Sequence, residues 1–418
     1  METIKEIIGR AETDLKEMFE GIDLNEAART RQILDSFRQH GVSYRHFAPT
    51  TGYGYDDIGR DTLERIYADV FHTEAALMRP HISSGTAALS LTLFGMTRPG
   101  EKIVSATGMP YDTLQGVIGI SGEKQNGSLK EMGISFECVE LRDGRIDTDA
   151  VDKAITPETS LVIAQRSRGY AWRPSLFPNE FGELADMVHS RHPGVTRMVD
   201  NCYGEFVCKD EPSDYGADLC VGSLIKNPGG GIAPTGGYIT GKKEMIERIA
   251  GRLTAPGLGR EIGSYEASYR PFYQGLFMAP HTVAQALKTA LLASRIFEIL
   301  GMETSPASDE TRADIIQAIK MQTPERLVAF CQGIQTASPV DSMAMPEPWD
   351  MPGYDDQVVM AAGTFVAGAS IELSADGPIR PPYTAFMQGG LTYIHGRIAL
   401  EEALKRMVET GALVLPES

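Results

Sequence analysis

Residues 217–231 read "ADLCVGSLIKNPGGG". The apolar run "ADLCVGSLIK" (217–226) reads as a buried strand, and a glycine run follows it. At the junction stands Lys226. Lysine is seldom carried into a core without a partner. One reading lets it leave the strand end and reach water along its aliphatic stem. The sharper reading gives the amine a covalent partner, because a linked amine need not be desolvated as a permanent ammonium. Gly229, Gly230 and Gly231 allow a sharp backbone turn beside a ligand, and Ser223 adds a hydroxyl three residues earlier.

Working outward, strand-like and helix-like runs alternate. "TEAALMRP" (73–80), "EKIVSA" (101–106), "GISFECVEL" (133–141), "TSLVIAQRS" (159–167), "GVTRMVD" (194–200), "DLCVGSLIK" (218–226) and "GGYITG" (236–241) read as strands. "GTAALSLTLFGM" (85–96), "DTLQGVIGI" (112–120), "DTDAVDKAI" (147–155) and "NEFGELADMVHSRHP" (179–193) read as helices. This is the pattern of a doubly wound, mostly parallel α/β sheet. Residues 1–50 are expected to be a helical segment, with two helices separated near "GIDLNEA" (21–27). Residues 51–290 are expected to be the large α/β domain, and 291–418 a smaller α+β domain. "HFAPTTGYGYDDIGRD" (46–61) reads as a loop, and "HTVAQALKTALLASRIFEIL" (281–300), broken by Lys288 and Arg295, as a core helix and not a membrane span.

The 418 residues carry a formal net charge of −17, which argues against nucleic acid or an anionic membrane surface as a partner. Five cysteines form no C-x-x-C pair and no disulfide framework. The N-terminal stretch lacks the apolar core of a signal peptide. A cytoplasmic protein is expected. The histidines show no metal spacing, and no metal is expected.

In open α/β sheets ligands collect beyond the carboxyl ends of the strands. After the first strand stand Ser84, Gly85 and Thr86, where the free N–H groups of a helix start and two hydroxyls make an anion site or, more plainly, a cap. After the second stands Tyr111. Asp200 ends the fifth, either as a turn residue or as a carboxylate that keeps a ring nitrogen protonated.

Singly these signals are weak, but their order is informative. A phosphate cup, an aromatic, a strand-end Asp and then Ser-x-x-Lys resemble the fold-type I enzymes that use pyridoxal 5′-phosphate (PLP). The stretches "FAPTTGYGYDDIGRDTLE" (47–64), "RPHISSGTAAL" (79–89), "VDNCYGEF" (199–206), "GSLIKNPGGGIAPTGGYI" (222–239), "QGLFMAPH" (274–281) and "SADGPIRPPY" (374–383) resemble the Cys/Met-metabolism branch. Within it they are similar to the methionine γ-lyase family and its aluminium-resistance proteins, which carry the name cystathionine β-lyase. The resemblance implies a large domain with a mostly parallel sheet of seven-stranded type. It implies PLP as cofactor, with Lys226 as its Schiff-base lysine, Asp200 on the pyridine nitrogen and Ser84, Gly85, Thr86 and Ser223 around the phosphate. Tyr111 is implied to stack on the ring and act as acid or base. Tyr53 and Tyr55 stand where the family reaches the phosphate of the neighbouring subunit with Tyr-x-Arg, so a homodimer or homotetramer with shared sites is expected. Tyr55 replaces that Arg, and nearby Arg60 is either its substitute or an exposed charge. Arg380 is implied to clamp the substrate carboxylate. "QRSRG" (165–169) departs from the family's usual stretch and supplies no asparagine to the ring hydroxyl.

The reaction implied is β- or γ-elimination of a sulfur group from cystathionine, methionine or a cysteine-like amino acid. Three rivals stand beside it. One is another fold-type I enzyme, an aminotransferase or aldolase-type lyase. The second is a PLP-holding stress protein without turnover. The third is a nucleotide-binding protein using "GGYITGKK" (236–243), whose last position lacks the Ser or Thr of a phosphate loop.

Overall fold

The computed structural model describes residues 3–120, 127–351 and 356–416. The chain opens with α1 (Ile4–Asp14) and α2 (Lys16–Gln39). The break between them lies at Leu15, not near residues 21–27, which are continuous helix inside α2. A capping box, Thr3 with Glu6, starts α1. Its Ile7, Ile8 and Ala11 then enter a core shared with the C-terminal elements, while Ile33 of α2 joins a different core. One face of each helix is apolar, and each finds its own cover.

The large sheet follows in the chain order α3 (Ile58–Val70), β1 (Ala75–Arg79), α4 (Gly85–Met96), β2 (Lys102–Ser105), α5 (Asp112–Ile118), β3 (Ser135–Cys138), α6 (Thr148–Ala154), β4 (Thr159–Gln165), α7 (Glu180–Arg191), β5 (Thr196–Asp200), β6 (Leu219–Ser223) and β7 (Gly237–Gly241). Across the sheet the order is β1-β7-β6-β5-β4-β2-β3. β2 pairs in parallel with β3 and β4, β4 with β5 and β5 with β6, and only β7 runs against its neighbours among the described strands. Helices cover both faces, so strands such as "LVIA" (161–164) are apolar on both sides. "GGYITGKK" is β7 and the start of α8 (Lys243–Leu253), and Lys242 pairs with Asp218 at 2.6 Å. It forms a strand paired on both sides and a helix start, not a phosphate loop.

α9 (Arg270–Ile299) carries the core helix expected at 281–300. Lys288 and Arg295, which break its apolar pattern, reach Asp23 and Asp14 at its surface. The remaining elements are β8 (Thr304–Ser305), β9 (Gln317–Lys320), α10 (Pro324–Thr336), β10 (Val358–Ala361), β11 (Ser374–Pro378), β12 (Thr384–Gln388) and α11 (Tyr393–Glu409). Their sheet runs β10-β11-β12-β9-β8, antiparallel throughout. α10, α11, α9 and α1 bury its back in one apolar cluster. No helix among the described residues is long and apolar enough to cross a membrane.

Candidate active site

β4, β5 and β6 are parallel neighbours, so their carboxyl ends open on one side. There a cavity of about 290 Å³ lies between the large sheet and the strands β10–β12 of the small one. Tyr111, Gln165, Asp200, Cys202, Tyr203 and Lys226 line its large-sheet wall. They end or follow four strands, β2, β4, β5 and β6, as expected of sites at this edge.

Lys226 is not on a strand. β6 ends at Ser223, opposite Gly237, and Lys226 stands three residues later as the residue before a short 3₁₀ turn, Asn227–Gly229. The last ladder bond is from the Leu224 N–H to the Gly236 carbonyl at 3.0 Å, and the Asn-Pro-Gly turn that follows, with no N–H on Pro228, does not resume it. Gly230 has φ +56°, and a Cβ there would lie 2.4 Å from the Gly275 carbonyl oxygen of α9, which requires glycine. The turn presents the partly buried Lys226, whose Nζ lies 4.1 Å from the centre of the Tyr203 ring. Tyr203 has φ +72°, an uncommon conformation for a non-glycine residue, which holds its ring under the amine.

Burial opposes the Lys226 ammonium, but the acidic groups facing it, Cys202, Tyr203, Asp200 and Tyr111, outweigh burial and raise its pKa. Asp200 is buried and accepts a hydrogen bond from the Cys202 N–H at 3.1 Å. Burial pushes its carboxyl up, and Lys226 pulls it back. The same burial drives the Cys202 thiol well above its ordinary value, so Cys202 is a neutral wall residue.

Tyr111 is fixed at both ends. Its N–H donates to Gln165 Oε1 at 3.0 Å, and its hydroxyl meets Thr86 Oγ1 at 2.7 Å. Burial pushes its phenol up to about 12, with Asp200 adding and Lys226 opposing, so the proton stays on at neutral pH. Ser84 caps α4 through the Ala87 N–H at 3.0 Å. The first N–H groups of that helix have no intrahelical acceptor. Ser84, Gly85, Thr86 and Ser223 border the cavity and do not line it. A Cβ on Gly85 would lie 3.1 Å from Ser223 Cβ and 3.7 Å from Cys202 Sγ, so the α4 start and the β6 end converge beside the cavity.

Four residues named from the sequence stand elsewhere. Tyr53 and Tyr55 stack at 5.6 Å on the surface, 64% and 57% exposed, away from this chain's own cavity. Arg60 is neither exposed nor a free cation. It is buried, pairs with Asp61 and donates to the carbonyls of Gly54 and Glu261, tying the tyrosine loop down. Arg380 is a correction. Pairing of Ser374 with Gln388 and Asp376 with Phe386 puts the cavity at one end of the β11–β12 hairpin, and Arg380 lies in the turn at the other. There it is exposed and bonded to Asp356 at 2.9 Å. No arginine lines the cavity among the described residues, and none of their His, Cys, Asp or Glu clusters is placed to hold a metal ion.

Sequence reasoning missed Tyr203, whose signal was an aromatic three residues past Asp200. It missed Gln165 as the holder of Tyr111. It also missed the whole small-sheet wall, Ser370, Ser374, Asp376, Phe386 and Gln388.

A doubly wound sheet of this strand order, with a strand-end Asp and a lysine after the next strand, defines a fold-type I PLP enzyme. The chain belongs to the methionine gamma-lyase family, whose model matches residues 4–408. Membership makes it a PLP-dependent carbon–sulfur lyase of sulfur amino acids. It is 50% identical over 409 residues to YnbB of Bacillus subtilis (strain 168), covering 98% of this chain and 97% of that one. The solved structure of a carbon-sulfur lyase involved in aluminum resistance from Clostridium novyi NT is 48% identical, with a TM-score of 0.93 over 96% of this chain and 95% of that one. The L-methionine gamma-lyase of Porphyromonas gingivalis (strain ATCC BAA-308 / W83) is 25% identical over 219 residues, 52% of this chain and 49% of that one.

The residues present fit the cofactor this family implies. The amine and a buried carboxylate line one cavity at the ends of parallel strands, and the start of α4, with the Ser84 and Thr86 hydroxyls, meets Ser223 and Cys202 beside it. That donor set suits an aldehyde, a basic ring nitrogen and a phosphate.

Proposed function

We propose that the protein releases a thiol from an L-amino acid of the cystathionine, methionine or cysteine type, with water, to give ammonia and a 2-oxo acid. The observation that carries this is the convergence of Lys226, Asp200 and Tyr111 on one cavity from three strand ends. Bound PLP supplies an electron sink for the charge left at Cα. Asp200 keeps the ring nitrogen protonated from its buried position. Lys226 would anchor the cofactor, and its Nζ would take the Cα proton of the substrate. Tyr111, protonated below about pH 12 and held by Thr86, delivers a proton to the departing sulfur. Ser84, Gly85, Thr86 and Ser223 hold the phosphate. The exposed Tyr53–Tyr55 pair supports a further element of the same proposal, a homodimer or homotetramer in which these rings complete the neighbour's site.

Product analysis tests the reaction. Incubation with L-cystathionine, L-methionine and S-alkyl-cysteines is expected to yield thiol, ammonia and oxo acid in equal amounts. Pyruvate marks β-elimination, and 2-oxobutanoate from methionine marks γ-elimination. A requirement for an amino-group acceptor, or absence of thiol from every substrate, would overturn the lyase reading.

A further inference from the structure

The small-sheet side of the cavity carries polar groups that this reaction leaves unused. β10, β11 and β12 lie side by side, and their register sets Met360 opposite Asp376 and Asp376 opposite Phe386. Side chains alternate between strand faces, so Ser374 and Asp376 share a face with Phe386 and Gln388, and that face lines the cavity. Asp376 is 8% exposed and its Oδ1 has no hydrogen-bond partner. Ser370, also 8% exposed, lines the same wall, and its Oγ has none either. Unpaired buried polar atoms are costly. Two on one wall of one cavity mark where a ligand supplies the missing bonds.

The wall's chemistry selects the ligand. Burial raises the Asp376 pKa to about 6, with Tyr170 and Gln388 bonding to the carboxyl and easing the shift. At neutral pH it is a carboxylate between a Met and a Phe. Lys226 is the only cationic side chain lining the cavity among the described residues, against Asp112, Asp200 and Asp376. Under the lyase reading Lys226 and Asp200 serve the cofactor, and Asp112, on α5, accepts from Gln115, so Asp376, with an open oxygen on the small-sheet wall, is the carboxylate placed to attract a cation there. We propose that Asp376, with Ser370, receives an ammonium on the substrate arm beyond sulfur, so that the preferred substrates are thioether amino acids whose leaving group carries a second amino group. This deepens the lyase reading and rests on it.

S-(2-aminoethyl)-L-cysteine and S-propyl-L-cysteine have arms of equal length, one ending in ammonium and the other in methyl. The holoenzyme is expected to favour the first by about tenfold or more in kcat/KM, the effect of one hydrogen bond to a charged group. Asp376→Asn, equal in shape and uncharged, removes that preference through KM and leaves S-propyl-L-cysteine within about twofold, the scale of a change with no lost contact. Ser370→Ala reduces the preference more weakly. Binding is read separately in Lys226→Ala supplied with PLP, which does not turn over. Calorimetric Kd values there should show the same preference, lost in Lys226→Ala/Asp376→Asn. Equal Kd values for the two compounds, or an Asp376→Asn variant that weakens both alike, overturns the proposal. A Kd preference without turnover of either compound supports the ammonium site and sinks the lyase reading instead.

Discussion

On the large-sheet wall of the cavity, Tyr111 is held by Gln165 and Thr86, Asp200 by the Cys202 N–H, and Lys226 sits over Tyr203. On the small-sheet wall, Asp376 Oδ1 and Ser370 Oγ have no partner. The first wall is preorganised by its own protein bonds, as groups that move protons at fixed atoms need to be. The second holds bonds open for whatever enters. The difference separates chemistry from recognition, and each wall should fail in its own way when altered.

The largest effect is expected on the chemical wall. Lys226→Ala should cut kcat by about 10²–10⁴ or more for every substrate alike, since the group that moves the Cα proton is gone. Selective loss with one substrate would erase the distinction between the walls. Tyr111→Phe keeps the ring and removes the proton, and is expected to lower kcat by about 10²-fold with KM little changed. Steady-state kinetics on two substrates check both.

Behind that wall a third region sharpens the contrast. Glu205 is fully buried, accepts from the Tyr238 hydroxyl at 2.8 Å, and has no partner at Oε2. Burial raises its pKa from 4.5 to about 8. A carboxyl whose folded value is raised stabilises the fold fully below its unfolded value, and that contribution is lost as pH rises through about 8. Glu205→Gln keeps the bond from Tyr238 and cannot ionise. Denaturant midpoints should therefore favour the variant over wild type increasingly from pH 5 to pH 8.5. Parallel curves would show that Glu205 is already ionised in the fold.

The smallest effect belongs outside both walls. Arg380→Ala breaks an exposed pair with Asp356, a type of contact worth about 0–1 kcal/mol. Stability and kcat/KM should stay near wild type. A large rise in KM would return Arg380 to the substrate.

The large-sheet wall was legible in the sequence because parallel strands buried on both faces read as unbroken apolar runs. Whatever follows such a run lies at the ligand edge, so Asp200 and Lys226 could be placed from their spacing. Lys226 was put on the strand because apolar character continues through Ile225, whereas ladder pairing already ends at Ser223. The break at Leu15 carried no Gly or Pro to announce it. Tyr203 reaches the amine through a backbone conformation that no local propensity favours. The small-sheet wall was invisible for a different reason. Ser370, Asp376 and Gln388 meet the cavity only through the register of an antiparallel sheet and its docking across the chain, both non-local. Arg380 looked functional because the resemblance implies a carboxylate clamp there, but the hairpin turn sets it at the end of β11–β12 away from the cavity.

The most direct test of the central claim is the absorbance of the purified protein with PLP, before and after borohydride, followed by mass analysis of its peptides. A visible band that borohydride bleaches, with a reduced pyridoxyl mass on the peptide holding Lys226 and none in Lys226→Ala, is the predicted result. A protein that stays colourless with added PLP, or that carries the label on another lysine, would contradict it.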